Sequence, residues 1–439
     1  MGVLGRIDAP RDCLKNSSMK NMLAALETRL AALPVRVTVD LPSGQRIGPE
    51  QGDVRVILRS PAALLALTQG HIGSLGAAVV EGWVELQGSM RNTMAAASNL
   101  LQTDPVRGNA SWWSQIMGRA RSMALHTLER DAKQVQFHYD LSDDFYALWL
   151  DPLRVYSCAY YRENDMTLAQ AQEAKLDHIC RKLDLQPGER FLDVGCGWGG
   201  LLIWAAQHYG VQAKGITLSH NQYHYVRQRI QALGLEDRVQ VELCDYRKLA
   251  DAPYDKLGSV GMFEHVGQAN LPEYFQTVRK LLKPGGLALI HGITAGGTRN
   301  RQLGAGMGDF IDRYIFPGGE LVHVSAVLHS VAEAELEMVD TENLRPHYAR
   351  TLWAWSDALE AQLPQAQQIL TTQTDEERGR RALRAYRLYL AGCAMGFEQG
   401  WMGLHQMLLT RPSGDLTAGA LQGAQSSYPF QRQYMYSRG

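Results

Sequence analysis

From about residue 165 onward, short apolar runs alternate with helical segments, and this alternation restricts the fold more than any other feature. RFLDV, AKGITL, RVQVEL, KLGSVGMF and LALIHGI are strand-like, and the stretches between them have helical spacing. Strands alternating with helices predict a doubly wound parallel α/β sheet whose ligands sit at the strand C-terminal ends. LLKPGG reads as a helix-to-strand turn closed by glycine. Residues 300–420 are mostly helical and are read as helical insertions.

A chain of 439 residues exceeds one ordinary core, so two or more domains are expected. Residues 35–60 alternate around a Pro-Ser-Gly turn, which predicts two short strands. PAALLALTQGHIGSLGAAVVEGW follows with helical spacing broken by glycines. The expected division is a small α+β domain over 1–103, a basic linker helix with Trp112 and Trp113 over 104–133, and the sheet domain over 134–439.

Charge and cysteine usage exclude several classes. The net charge is −1, with 15 Lys+Arg against 11 Asp+Glu in residues 1–133 and 29 against 34 in the rest. So mild an asymmetry gives no basis for nucleic-acid binding. The six cysteines (13, 158, 180, 196, 244 and 393) form no CxxC pair and no metal-ligand spacing, so no metal is expected. Reduced thiols suit a cytoplasmic location. The N-terminal MGVLGRIDAPRDCLKNSS lacks a signal-peptide core, and no apolar run reaches the ~18 residues a membrane span needs.

FLDVGCGWGG is a strand entering a glycine loop, followed by the helix LLIWAAQHY. Asp193 ends the strand; Gly195, Cys196, Gly197 and Gly199 form the loop, where glycines let the backbone approach a ligand. The spacing D-x-G-x-G-x-G differs from the G-x-G-x-x-G of dinucleotide folds, and no P-loop Lys follows. It resembles the loop of class I S-adenosylmethionine (SAM) methyltransferases. The second strand ends GITLSHNQ, offering Thr217, Leu218, Ser219 and Gln222 but no acid. After the third strand, CDYR offers Asp245, as an acceptor for an adenine amino group, with Tyr246 and Arg247. Singly, each polar residue is a cap or turn; together, at successive strand ends, they read as a cofactor wall.

HYDLSDDFYALWLD, YSCAYY, LDVGCGWGG, GITLSHNQ, MFEHVG, LIHGI and DRYIFPGGEL, in this order, resemble the cyclopropane-fatty-acyl-phospholipid synthase family over about residues 130–410. The resemblance implies a class I SAM-methyltransferase (Rossmann-like) sheet with a small N-terminal lipid-handling domain. It implies methylene transfer from SAM to cis double bonds of unsaturated phospholipid acyl chains, giving cyclopropane rings. The double bond is the nucleophile, so the protein must exclude water, face a transient cation with aromatic rings and position a weak base. In the family that base is a bound bicarbonate, and its positions fall on Cys158, Glu264, His291, the Ile293 backbone and Tyr348. Tyr156 and Ser157 would then touch SAM. Singly, a buried thiol, a core histidine or a helix cap accounts for Cys158, His291 and Glu264. Cys393 falls where an active-site cysteine is often marked, although this chemistry needs no thiolate and its Ala/Gly neighbours suggest close helix packing.

Arg381, Arg384 and Arg387 recur at helical spacing near Tyr386 and Tyr389, either as a basic face for anionic headgroups or as a solvated face. RYIFPGG reads as a lip over an acyl channel. The family further implies peripheral association with the inner membrane and a homodimer. Two other readings remain open: SAM-dependent methyl branching of unsaturated acyl chains, and a non-catalytic lipid-binding protein.

Overall fold

The computed structural model describes residues 11–69, 72–101, 106, 142–298, 304, 306–316, 319–412, 429 and 431–436. Apart from Val106, the expected linker helix with Trp112 and Trp113 lies outside them, as do residues 138–141 of the first family motif and Pro317 and Gly318 of the lip.

The chain divides into two compact units. The smaller holds residues 1–104 with 305–310. It opens with helix α1 (Arg11–Ala31), then β1 (Val37–Asp40), β2 (Arg46–Ile47) and β3 (Val54–Leu58), followed by α2 (Pro61–Gln69), α3 (Ile72–Val80), β4 (Val84–Gly88) and α4 (Met90–Leu100). Its four-stranded sheet has the order β2-β1-β3-β4. The Pro-Ser-Gly turn closes the antiparallel β1–β2 pair, with Gly44 at φ 84°. Along β3, Val54, Val56 and Leu58 face inward while Arg55 faces out, the period-two pattern of a half-buried strand. Ser89 caps α4 by accepting from the Asn92 amide at 3.1 Å.

The larger unit carries a seven-stranded sheet. In chain order its elements are α5 (Asp143–Ala147), α6 (Leu168–Lys182), β5 (Arg190–Val194), α7 (Gly200–Tyr209), β6 (Gln212–Thr217), α8 (His220–Ala232), β7 (Val239–Leu243), β8 (Tyr254–Val260), α9 (Leu271–Leu281) and β9 (Leu282–Ala295). Then come α10 (Met307–Tyr314), whose residues up to Phe310 count with the smaller unit, α11 (Val324–Glu333), β10 (Glu337–Asn343), α12 (Arg345–Glu360), α13 (Leu363–Gln373), α14 (Glu376–Glu398) and β11 (Met402–Thr410). All five expected strands are present and pair in parallel. Two further strands, β10 and β11, pair antiparallel at one edge, so the sheet is mixed, with the order β10-β11-β9-β8-β5-β6-β7.

Neighbouring residues on each central strand enter opposite cores. Leu192 and Ile290 join Phe275, Val278 and Val327 on one face. Phe191 and Leu289 join Leu202 and Ile179 on the other. A sheet covered by helices on both sides hides every side chain of its inner strands, which is why those strands read as continuous apolar runs. Strand order reverses at β5, since β6 and β7 lie on one side of it and β8 and β9 on the other. The crevice beyond the C-terminal ends of β5 and β8 is where such a sheet binds ligands.

Candidate active site

That crevice is an open cleft. Of the residues expected there, Tyr156, Ser157, Asp193, Gly195, Cys196, Gly197, Thr217, Leu218 and Gln222 line it. A smaller hollow shares Gly195, Thr217 and Leu218 with it and adds Asp245, Tyr246 and Arg247. Gly197 sits at φ 56°, and a Cβ built there meets nothing within 4 Å, so this residue faces the opening. Gly199 departs from expectation. It caps α7 at φ 82° and a Cβ would meet Val226 at 3.1 Å, so it serves helix packing rather than the cleft wall.

Polar groups at the strand ends hold one another. The Thr217 hydroxyl donates to Gln222 Oε1 at 2.8 Å and accepts from the Ser219 amide at 3.1 Å. Ser219 in turn caps α8 through the Gln222 amide. Fixing the Gln222 carbonyl oxygen on Thr217 turns its NH₂ group the other way, as a donor. Asp193 is buried and its Oδ2 has no partner. Burial raises its carboxyl to about 7, against the opposing pull of Lys175. Asp245, which lines the smaller hollow, also serves the chain itself. Both of its oxygens already accept from the Arg247 side chain, at 2.9 and 2.7 Å, and Oδ1 also takes the Arg247 amide. Its carboxylate is a turn cap and ion pair within the chain.

Tyr156 lines the cleft and also opens onto an aromatic cluster. Its hydroxyl lies 3.2 Å from that of Tyr389, and Tyr146 and Tyr386 pair in the same way at 2.9 Å. Trp149 packs edge-on against Trp355 and against the Tyr156 ring, and Trp355 meets Tyr156 at a tilt. Tyr348 packs on Trp355 and Phe397. Phe316, from the expected lip, meets both Tyr389 and His265, each at 5.7 Å between ring centres.

Contacts gather the expected base-holding residues into three groups. Cys158 is fully buried beside the first turn of α12, its Sγ 3.9 Å from the Leu344 carbonyl that also accepts the Tyr348 amide. Burial pushes its thiol well up, so it is a neutral donor. Glu264 follows β8 on a short 3-10 turn, and its Oε1 accepts the Ile293 amide at 2.7 Å. β8 ends at Val260 opposite His291, so this amide, one strand step further, is left to the carboxylate. The Ile293 N–H is therefore already engaged, which corrects its reading as a donor to an anion. Glu264 Oε2 is buried without a partner, and burial lifts its carboxyl to about 7 despite that amide. His291, on β9, meets Gln406 through Nδ1 at 3.1 Å and leaves Nε2 buried and unpartnered. Burial drives its pKa well below the ordinary value, so the ring is neutral.

On α14 the three arginines of the basic run are half-buried. Tyr386 and Tyr389 are buried, and Arg387 pairs through two hydrogen bonds with Glu360 of α12, at 2.6 and 2.9 Å. A helical period shows that one face differs from the other, not what covers it. Cys393, on the same helix, has its thiol raised to about 12 by burial, as suits a residue with no thiolate role. A Cβ on Gly392 would meet nothing, whereas one on Gly396 would meet Met402 at 2.8 Å, so only the second glycine marks close packing. Lys175, Trp198, Gly261, Met262 and His265 also line the cleft and were not anticipated. Trp198 lies inside the glycine motif itself, and Gly261 and Met262 directly follow a strand end, the signal that marks such positions. Among the described residues no cluster fit to hold a metal ion occurs, and no helix is long and apolar enough to cross a membrane.

The profile of the family described as "Mycolic acid cyclopropane synthetase" matches residues 126–407, well over half of the chain. A Pseudomonas putida protein named "Probable fatty acid methyltransferase" is 44% identical over 397 residues, covering 90% of this chain and 96% of that one. "Cyclopropane mycolic acid synthase MmaA2" of Mycobacterium tuberculosis is 37% identical over 288 residues, 64% of this chain and 97% of its own. Among solved structures, mycolic acid cyclopropane synthase CmaA1 complexed with SAH and CTAB superposes with a TM-score of 0.58 at 36% identity, covering 64% of this chain and 98% of that one. The glycine cleft at the strand ends, the seven-stranded sheet and these matches together place the chain in the mycolic acid cyclopropane synthetase family, SAM-dependent enzymes with the class I methyltransferase fold that act on fatty acyl chains.

Proposed function

We propose that this chain transfers a methylene carbon from SAM to the cis double bond of unsaturated acyl chains in membrane phospholipids, closing a cyclopropane ring. The observation that carries this reading is Tyr156, which belongs both to the cofactor cleft and to the buried tyrosine–tryptophan cluster next to it. When bound, SAM supplies an electrophilic methyl group. The chain's own residues do the rest. Buried aromatic rings face the cation that forms on the acyl chain and keep water from capturing it. Paired tyrosine hydroxyls (Tyr156 with Tyr389, Tyr146 with Tyr386) hold each other in place within that cluster.

One proton must leave the transferred carbon. Bicarbonate, when bound, supplies a weak base, and the unpartnered Glu264 Oε2 and His291 Nε2 are a fitting acceptor and donor for it. Cys158 and Tyr348 are the further neutral donors in this reading. The smaller unit engages lipid; its exposed Leu65 and Trp83, at 52% and 54%, support that division of labour. The protein works from the cytoplasmic side, peripherally on the inner membrane, as a homodimer.

A second reading is methyl branching, favoured by the name of the Pseudomonas putida relative. Until a separate hydride donor reduces it, the branching product is an alkene isomeric with the cyclopropane. Incubating the pure protein with SAM and unsaturated phospholipid vesicles, then mildly hydrogenating the acyl chains before mass spectrometry, separates them, because only the alkene gains two hydrogens. Acyl chains left unmodified by protein that binds SAM would sink both for this substrate.

A further inference from the structure

Lys175, on α6, is a buried cation that the proposed transfer does not use. It is 1% exposed, lines the cofactor cleft beside Ser157 and Asp193, and donates from Nζ to Ser157 Oγ at 2.8 Å. Among the described residues it forms no ion pair. The nearby Asp151 carboxylate is already taken by the amides of Leu153 and Val155, each at 2.9 Å. A lysine kept in a core without a direct counter-ion costs stability that a methionine of similar length would not. Its helix neighbours one turn away are Ala171, Gln172, His178 and Ile179, all buried and none of them a carboxylate.

The same cleft contains the opposite anomaly. Asp193 Oδ2 is buried with no donor. A cation without a direct ion pair and an unsatisfied carboxylate lining one cleft match a ligand carrying both signs of charge a few atoms apart. We propose that Lys175, acting through Ser157, recognises the carboxylate at the amino-acid end of the cofactor, while Asp193 receives its ammonium group. Because Ser157 accepts from Lys175, its own O–H must donate elsewhere, and the cleft it lines is where an acceptor would lie. Lys175 is thus a positioning residue, and its charge strengthens the serine's hydrogen bond to an anion. Burial draws its ammonium down to about 8, opposed by Asp151, Cys158, Asp193 and Cys180, so the cation is present at neutral pH.

This inference rests on SAM as the cofactor, and the test separates the two. Calorimetry on the full chain would use three ligands: SAM, its decarboxylated analogue, which keeps sulfonium and amine, and 5′-methylthioadenosine, which has no amino-acid arm. Lys175→Met should weaken SAM by about 10- to 100-fold, the usual effect of losing a hydrogen bond to a charged group. The other two ligands should change by less than about threefold, because the lost contact concerns the carboxylate alone. Unchanged methylthioadenosine binding reports an intact site. Ser157→Ala should show the same selectivity with a smaller loss, and it decides the matter if Lys175→Met does not fold. Equal losses for SAM and the decarboxylated analogue, or no loss for either, would overturn the role of Lys175. A wild-type chain that binds none of the three would overturn the cofactor reading instead.

Discussion

The cleft at the strand ends is shaped by a glycine loop and strand-end caps, and the aromatic cluster beside it by packed side chains. In the cleft, Gly195 and Gly197 hold positive φ at the end of β5, and short polar side chains cap the neighbouring strands. In the cluster, Tyr146 meets Tyr386 and Tyr156 meets Tyr389 across 240 and 233 residues of chain. The cleft should therefore be sensitive to backbone changes that leave chemistry alone. The cluster and its buried acid should be sensitive to single polar atoms while cofactor binding survives.

The largest expected effect tests the second half of that contrast. Glu264→Gln keeps the volume and removes the acceptor, so turnover should fall on the order of 10²–10⁴ while calorimetric SAM affinity holds. Tyr348→Phe should act in the same direction, with the double variant much less than additive if both serve one bound base. Near-normal turnover in Glu264→Gln would put the base elsewhere. Gly197→Val tests the first half. A β-branched residue at φ 56° is strained, and its side chain would project into the opening, so SAM affinity should drop by about 100-fold with circular dichroism unchanged. Unaltered affinity would move the cofactor away from this loop.

A third test compares the two regions through their buried acids. Asp193 and Glu264 both titrate near 7 when folded, above their ordinary values of about 4. The native state then holds protons that the unfolded chain has released, so stability should fall as pH rises from about 4 to about 7 and level off beyond. Asp193→Asn should flatten part of that slope and raise the melting midpoint at pH 7.5 by a few degrees while weakening SAM. A lower midpoint, with the slope intact, would mean the carboxylate is satisfied in solution. For turnover the sign reverses: an ionised Glu264 gives activity that rises with pH through about 7. The smallest effect belongs to the other unit. Trp83→Ser should reduce activity on vesicles by several-fold and leave SAM affinity alone, whereas equal activity would remove the exposed tryptophan from lipid engagement.

Legibility followed the distance over which each feature is decided. RFLDV, the glycine loop and GITLSHNQ announce themselves because strand period, positive φ and helix capping are settled within a few residues. β10 and β11 did not. EMVDTEN is too polar to signal a strand, and β11 follows more than 50 residues dominated by helix, so only their mutual pairing and β9 make them strands. The ion pairs of Asp245 with Arg247 and of Arg387 with Glu360 were not read from the sequence, which does not say which charges packing will bring together. Lys175 escaped notice because a lysine on a helix ordinarily extends its charge to water, and burial on α6 is visible only once the sheet is built.

The sequence by itself determined the sheet's central strands, the cofactor loop and the family, all consequences of short-range geometry and of ordered motifs. Only the tertiary structure decided which charges are paired, that Glu264 holds the Ile293 amide, and that the α14 tyrosines face inward. Those outcomes depend on desolvation, and desolvation is a property of the whole packed chain rather than of any stretch within it.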